Sequence, residues 1–182
     1  MRKYTKMLED LMGKEWCDEA FPPLLFIFDK DGTLVTKRGG GDPPIPNHVD
    51  EQIPLPGVVE RCRELREAGH TLAIASNQGG AAFGYLSYEE AYRLVAHAAG
   101  LIKAEAWEMC PHHPQGTVAA YAVDCGCRKP RRGMLISLMY YLEFKAENTI
   151  YVGDMDTDRQ AAEAAGVRFV WADEFFNRKE TS

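Results

Sequence analysis

The sequence has no apolar run approaching the roughly 20 residues that a membrane-spanning helix needs, so no spanning segment is expected. It has no basic excess either: 21 lysines and arginines face 27 acids, for a net charge of −6. That balance argues against a dedicated nucleic-acid binder, which carries a broad positive surface. The opening Met1-Arg2-Lys3-Tyr4-Thr5-Lys6 leads into acids rather than an apolar core, so no signal peptide is expected. Five cysteines are few and odd in number, and without an export signal a disulfide scaffold is not expected. These absences together predict a reduced, cytoplasmic, single-domain protein with no membrane partner, and a monomer is expected.

What is present suits one domain over 1–182, since 182 residues with 46% hydrophobic side chains can bury a real core. Tyr4, Met7, Leu8, Leu11 and Met12 recur at helical spacing and predict a leading helix within 1–22. Leu24-Leu25-Phe26-Ile27-Phe28 reads as a strand covered on both faces. From Asp29 to Pro56 the chain is rich in Gly, Pro and charge and reads as one long loop. Further strands are expected at Thr71–Ala75, Ala106–Met109, Thr149–Val152 and Val167–Trp171. Helices are expected from Gly57 to Ala68, from a Ser87-Tyr88-Glu89-Glu90 capping box to Ala99, from Gly133 to Phe144 and from Asp156 to Ala165. Strands alternating with helices imply an α/β fold with a mostly parallel sheet.

In such a sheet ligands sit beyond the carboxyl ends of the strands. The first strand delivers Asp29-Lys30-Asp31-Gly32-Thr33 there, and another delivers Gly153-Asp154-Met155-Asp156-Thr157-Asp158. If the extended geometry continues past Phe28, Asp29 and Asp31 project to one side. Two neighbouring carboxylates can divide labour, one as an ionised nucleophile and the other as general acid and then base. Asp154 at its strand tip is a natural Mg²⁺ ligand, and Asp158 can hold the loop by accepting backbone N–H bonds. Neither segment is a calcium loop: the first has Gly at position four, and the second has Arg159 where Gly is needed. Asp156 reads as a helix N-terminal acid. Between these tips, Ser76-Asn77-Gln78 can hold phosphate oxygens, and Lys129 can balance charge on a transferring phosphoryl group.

Cys110-Pro111-His112-His113-Pro114 and Cys125-Gly126-Cys127 place three thiols and an imidazole in two close pairs. This donor set suits a tetrahedral structural Zn²⁺ held by Cys110, His112, Cys125 and Cys127, with His113 as the substitute. Cys17 and Cys62 read as packing residues. His48, His70 and His97 have no evident partners in the sequence and are assigned no role.

Asp29-Lys30-Asp31-Gly32-Thr33, Ser76-Asn77-Gln78, Lys129 and Gly153-Asp154 with Asp158 stand in the order of the four motifs of the haloacid dehalogenase (HAD) superfamily phosphatases, over residues 24–176. The Cys110–Gly116 and Cys125–Pro130 segments resemble the zinc-loop branch of that superfamily, whose members act on heptose 1,7-bisphosphate and histidinol phosphate. The resemblance implies a Rossmann-like fold without a large cap domain, a zinc loop at 110–130, and Mg²⁺-dependent phosphomonoester hydrolysis through an aspartyl phosphate. It implies Asp29 as nucleophile and magnesium ligand, and Asp31 as acid/base residue with its backbone carbonyl on the metal. Ser76 and Lys129 would steady the phosphoryl group, Asp154 would complete the metal site, and Asn77, Gln78 and Arg128 would meet substrate. The sequence departs from the branch at Met155, in the long first loop and in Gly79-Gly80-Ala81-Ala82-Phe83-Gly84. A small sugar phosphate or bisphosphate is the expected substrate. Histidinol phosphate and a polynucleotide 3′-phosphate are the alternatives within enzymes, and a zinc-stabilised, non-catalytic interaction protein is the alternative outside them.

Overall fold

A computed structural model describes residues 22–41 and 45–178, with Glu9. The leading helix expected within 1–22 falls outside the described residues apart from Glu9 and the loop entry, and Cys17 falls outside them too. Among the described residues no helix is long and apolar enough to cross a membrane.

Five parallel strands form the central sheet: β1 (Leu25–Phe28), β4 (Thr71–Asn77), β5 (Ala106–Cys110), β6 (Thr149–Gly153) and β7 (Arg168–Trp171). Their order is β5-β4-β1-β6-β7. All four residues of β1 are fully buried because it lies at the centre, paired with β4 on one side and β6 on the other. Side-chain alternation then sorts the core into two layers. Phe26 and Phe28 pack with α1 (Val58–Glu67), α2 (Tyr88–Ile102) and the short α5 (Ala172–Phe175), through Leu65, Val95 and Phe175. Leu25 and Ile27 face α3 (Gly133–Tyr141) and α4 (Asp156–Ala165), through Leu135, Leu138 and Ala162. This is the parallel sheet that the strand–helix alternation predicts, covered on both faces in the Rossmann-like manner that the resemblance implies.

Local signals set the helix ends. Ser87 caps α2 with both halves of the capping box formed, and Gly166 closes α4 in the left-handed conformation. The helix expected to Phe144 stops at Tyr141.

The segment read as one long loop is more ordered than that. It contains a hairpin of β2 (Val35–Lys37) and β3 (Gln52–Pro54), paired antiparallel from Val35↔Pro54 to Lys37↔Gln52. Three-residue strands carry too little alternation to be recognised, and their partners lie far apart in sequence. Buried Gln52 fastens the hairpin to α2: its Nε2 donates to the Leu94 carbonyl at 3.0 Å and its Oε1 lies 3.1 Å from His97 Nδ1. The other two histidines also have partners. His48 Nδ1 accepts from Asp50 N–H, and His70 Nδ1 accepts from Leu24 N–H at 3.2 Å. Cys62 is buried in the core, as expected.

Candidate active site

Strand order brings the chemistry together. Because β1 sits between β4 and β6, the residues beyond Phe28, Ala75 and Val152 emerge side by side at the carboxyl edge. Asp29 N–H continues the ladder to the Val152 carbonyl at 2.9 Å, which holds Asp29 beside the β6 tip. Carboxylate oxygens of Asp29, Asp154 and Asp158 all lie within 4.8 Å of one another.

Lys129 enters this acidic cluster from a distant part of the chain. Its Nζ donates to Asp29 Oδ1 at 2.6 Å, to the Ala75 carbonyl at 3.0 Å and to the Tyr151 hydroxyl at 2.9 Å, and lies 2.7 Å from Asp158 Oδ1. Burial alone would lower its pKa, but Asp29, Tyr151 and Asp158 outweigh that and hold the ammonium well above its ordinary value. Asp29 is raised to about 7, first by burial, against the pull of Lys129 and with Asp158, Asp154 and Asp31 adding to the rise. Within this buried pair the lysine is charged. Asp29 is the member that a second cation would return to its ionised form.

The turn after β1 is built around Asp154. Thr33 Oγ1 donates to Asp154 Oδ1 at 2.8 Å, and Gly32 has φ +79°. A Cβ on Gly32 would stand 2.3 Å from Asp154 Oδ2, so only glycine fits on both counts. Asp158, for which the sequence suggested a supporting role, is buried beside them. It accepts from Met155 N–H at 3.0 Å and from Tyr151 Oη–H at 2.9 Å, which leaves Asp29 and Asp154 as the freer carboxylates. Asp156 is exposed and paired with Arg159, in keeping with a helix N-terminal acid. Hard oxygen donors on a close-approach glycine turn, charge-compensated from one side by Lys129, fit Mg²⁺, which takes one or two carboxylates and keeps water.

Asp31 does not join that cluster. The chain bends at Lys30 between the two acids, and Asp31 is still near enough to add to the rise at Asp29. The Asp31 carboxylate bonds the buried Lys30 ammonium and accepts from Gln78 Nε2 at 3.0 Å. Gln78 Nε2 also donates to buried Ser76 Oγ at 2.8 Å. Asn77 clasps the Lys129 backbone from both sides, Nδ2 to its carbonyl at 3.1 Å and Oδ1 from its N–H at 3.0 Å. The side-chain amides expected to meet substrate thus hold Asp31 and Lys129 in place. Both residues also line a cavity of about 840 Å³ together with Asp31 and Arg128. Arg128 is anchored there by the His112 carbonyl at 3.1 Å and lies over Gly79.

The four expected soft ligands converge. Cys110, Cys125 and Cys127 sulfurs are 3.1–3.4 Å apart, and His112 Nδ1 is 3.7 Å from Cys110 and 3.5 Å from Cys127. These separations are far beyond a disulfide bond and close to the edge of a tetrahedron around a zinc-sized ion. Burial pushes the Cys110 thiol up, whereas at Cys125 hydrogen bonds from Cys127 and Arg128 outweigh burial and bring it down to about 6. His113 stands apart, facing the cavity with its ring 4.9 Å from Phe83. The cluster is wired to the active site, because Gln78 N–H donates to the Cys110 carbonyl at 2.8 Å and Lys129 follows Cys127 by two residues.

Two positioning residues had no sequence signal. Tyr151 is fully buried beneath Lys129 and reads as one more strand aromatic. Arg178, near the end of the chain, donates to the Thr33 carbonyl at 2.6 Å and to the Gly32 and Pro56 carbonyls at 3.4 and 3.3 Å, bracing the turn after β1.

Comparison with known proteins agrees with this geometry. Residues 24–176 match the family model described as polynucleotide kinase 3 phosphatase. The D-glycero-beta-D-manno-heptose-1,7-bisphosphate 7-phosphatase of Yersinia pestis is 34% identical over 150 residues, covering 80% of this chain and 77% of that protein. Among solved structures, the D,D-heptose 1,7-bisphosphate phosphatase from B. bronchiseptica, complexed with magnesium and phosphate, superposes with a TM-score of 0.66. It is 28% identical and the match covers 80% of this chain and 78% of that one. A HAD-superfamily hydrolase of subfamily IA from Geobacter sulfurreducens, 17% identical with a TM-score of 0.54 over 82% of this chain and 89% of that one, shares the fold. With its strand tips, its motif order and these relatives in agreement, the chain belongs to the polynucleotide kinase 3 phosphatase family and is a phosphatase of the HAD superfamily.

Proposed function

We propose that the chain hydrolyses a small sugar phosphate or bisphosphate in two displacements on Asp29, with heptose 1,7-bisphosphate the first candidate. The convergence of Asp29, Asp154 and Asp158 within 4.8 Å, with Lys129 Nζ 2.6 Å from Asp29, is the observation that carries this reading. In the first step an Asp29 oxygen attacks phosphorus, the ester P–O bond breaks, and the departing alkoxide takes a proton from Asp31. In the second, Asp31 removes a proton from water, the hydroxide attacks the phosphoryl-aspartate, and phosphate leaves with Asp29 restored. Gln78 holds one Asp31 oxygen and Lys30 the other, which fixes the position of the carboxyl group. Lys129 and the Ser76 hydroxyl favour the charge that builds on the phosphoryl oxygens, in a setting already rigid before substrate arrives. Mg²⁺, held by Asp29, Asp154 and the Asp31 carbonyl, would supply the positive charge that keeps Asp29 ionised and draws in the phosphate. Zn²⁺ on Cys110, His112, Cys125 and Cys127 would be structural, since four protein ligands leave no open position.

The names of the relatives support the sugar bisphosphate, and the full set of acids and Lys129 speaks against a non-catalytic protein. A phosphate-release assay with magnesium tests the reading on heptose 1,7-bisphosphate, histidinol phosphate and a 3′-phosphorylated oligonucleotide. Wild-type turnover should be greatest on the bisphosphate, and Asp29→Asn should abolish it. Turnover that survives Asp29→Asn, or that peaks on the oligonucleotide and falls steeply with salt, overturns it.

A further inference from the structure

Away from the strand tips the active-site cavity changes character. Beyond Asp31, Gln78 and Arg128 the lining keeps Lys37, Asn47 and His113 as polar groups but gains an apolar side of Ile45, Phe83, Tyr85 and Leu86. Ile45 is 44% exposed and Tyr85 is 75% exposed, so apolar surface, including a flat ring, faces water in the cavity that Asp31 also lines. The Phe83 and Tyr85 rings stack with centroids 5.7 Å apart and planes 20° from parallel, and His113 backs Phe83. Gly84, at φ +72°, turns the chain between the two aromatics. The segment is braced from both sides: Tyr85 N–H donates to the Gly80 carbonyl at 3.0 Å, and Thr117 and Val118 N–H both donate to the Ala82 carbonyl at 2.8 and 2.9 Å. The pair is therefore held in place before anything binds. Meanwhile the Asn77 and Gln78 amides, which could read hydroxyls, are committed to Lys129, Ser76 and Asp31.

We propose that the Phe83–Tyr85 pair is a stacking platform that selects a leaving alcohol with a flat apolar face over a flexible open-chain one. The inference rests on the phosphatase reading above and specifies the substrate class for that same site. The shared chemistry is a flat C–H or π face, which either the underside of a sugar ring or an aromatic ring attached to the alcohol supplies. Stacking on an aromatic side chain is sequence-tolerant and strong enough to change kcat/KM by about tenfold or more.

Two substrate pairs with matched esters separate these sources. Glucose 6-phosphate is a closed ring and glucitol 6-phosphate its reduced open chain, while a purine nucleoside 5′-monophosphate carries an aromatic base where ribose 5-phosphate has a hydroxyl. The wild-type enzyme should favour the ring-bearing member of at least one pair by about tenfold. The first pair reports a sugar face, the second an aromatic one. Tyr85→Ala and Phe83→Leu, which keeps bulk while removing the flat ring, should bring that ratio close to one. Parity in both pairs for the wild type, or a ratio unchanged in both variants, overturns the platform. Release of phosphate that Asp29→Asn abolishes, but with both pairs at parity, refutes the platform alone; no release from any phosphomonoester refutes the parent reading with it.

Discussion

Replacing Lys129 by methionine keeps the length of the side chain and removes its charge. Lys129 is 4% exposed and its ammonium touches Asp29, Asp158, Tyr151 and the Ala75 carbonyl, so no water takes its place cheaply. Removing one partner of a buried ion pair costs about 4 kcal/mol, because the groups left behind lose their compensating charge. In a domain of this size that lowers Tm by roughly 8–16 °C. The loss should depend on pH in a defined sense. Asp29 has its folded pKa raised from 3.8 to about 7, so the folded state holds a proton that the unfolded state releases. Its contribution to stability is full below about 3.8 and is lost as pH rises through 7. Removing Lys129 takes away the influence that lowers Asp29, so Asp29 rises further and the deficit against wild type is larger at pH 8 than at pH 5. Thermal melts followed by circular dichroism in chelator-containing buffer at the two pH values measure this, and phosphate release should fall about 10²–10³-fold. A variant that melts with wild type at both pH values, or shows the same deficit at both, refutes the placement of Lys129 as the compensating charge.

Two further changes test the site's other supports. Gly32→Ala places a Cβ 2.3 Å from Asp154 Oδ2 in a left-handed turn, so phosphate release should fall at least 100-fold while the far-UV spectrum is kept; near-normal turnover refutes the close approach. Purified protein should contain about one zinc per chain, and Cys127→Ala should lose it and with it most phosphatase activity, since Lys129 lies two residues on. Metal analysis that finds no difference between the two proteins rules out the cluster as the zinc ligands.

Much of this molecule is written in short-range pattern. The run Leu24–Phe28 is apolar without alternation because both faces of β1 are covered, and Ser87 and Glu90 cap α2 using only each other. The acids at strand tips and the two close Cys/His pairs could be read for the same reason: each is a local grouping of side chains. The β2–β3 hairpin could not, because its strands are three residues long and meet only after the intervening chain has turned back.

The tertiary structure alone decided who touches whom at the site. Lys129 reaches Asp29 across 100 residues because β1 lies between β4 and β6, and Tyr151 meets both only through that same strand order. Asn77 and Gln78 look like ligand-binding amides in sequence, yet their bonds go to Lys129, Asp31 and Ser76 once the sheet has closed. Arg178 braces a turn almost 150 residues earlier. Side-chain type and spacing determine what a residue is able to do; the partner it does it with depends on non-local packing, which no window of sequence contains.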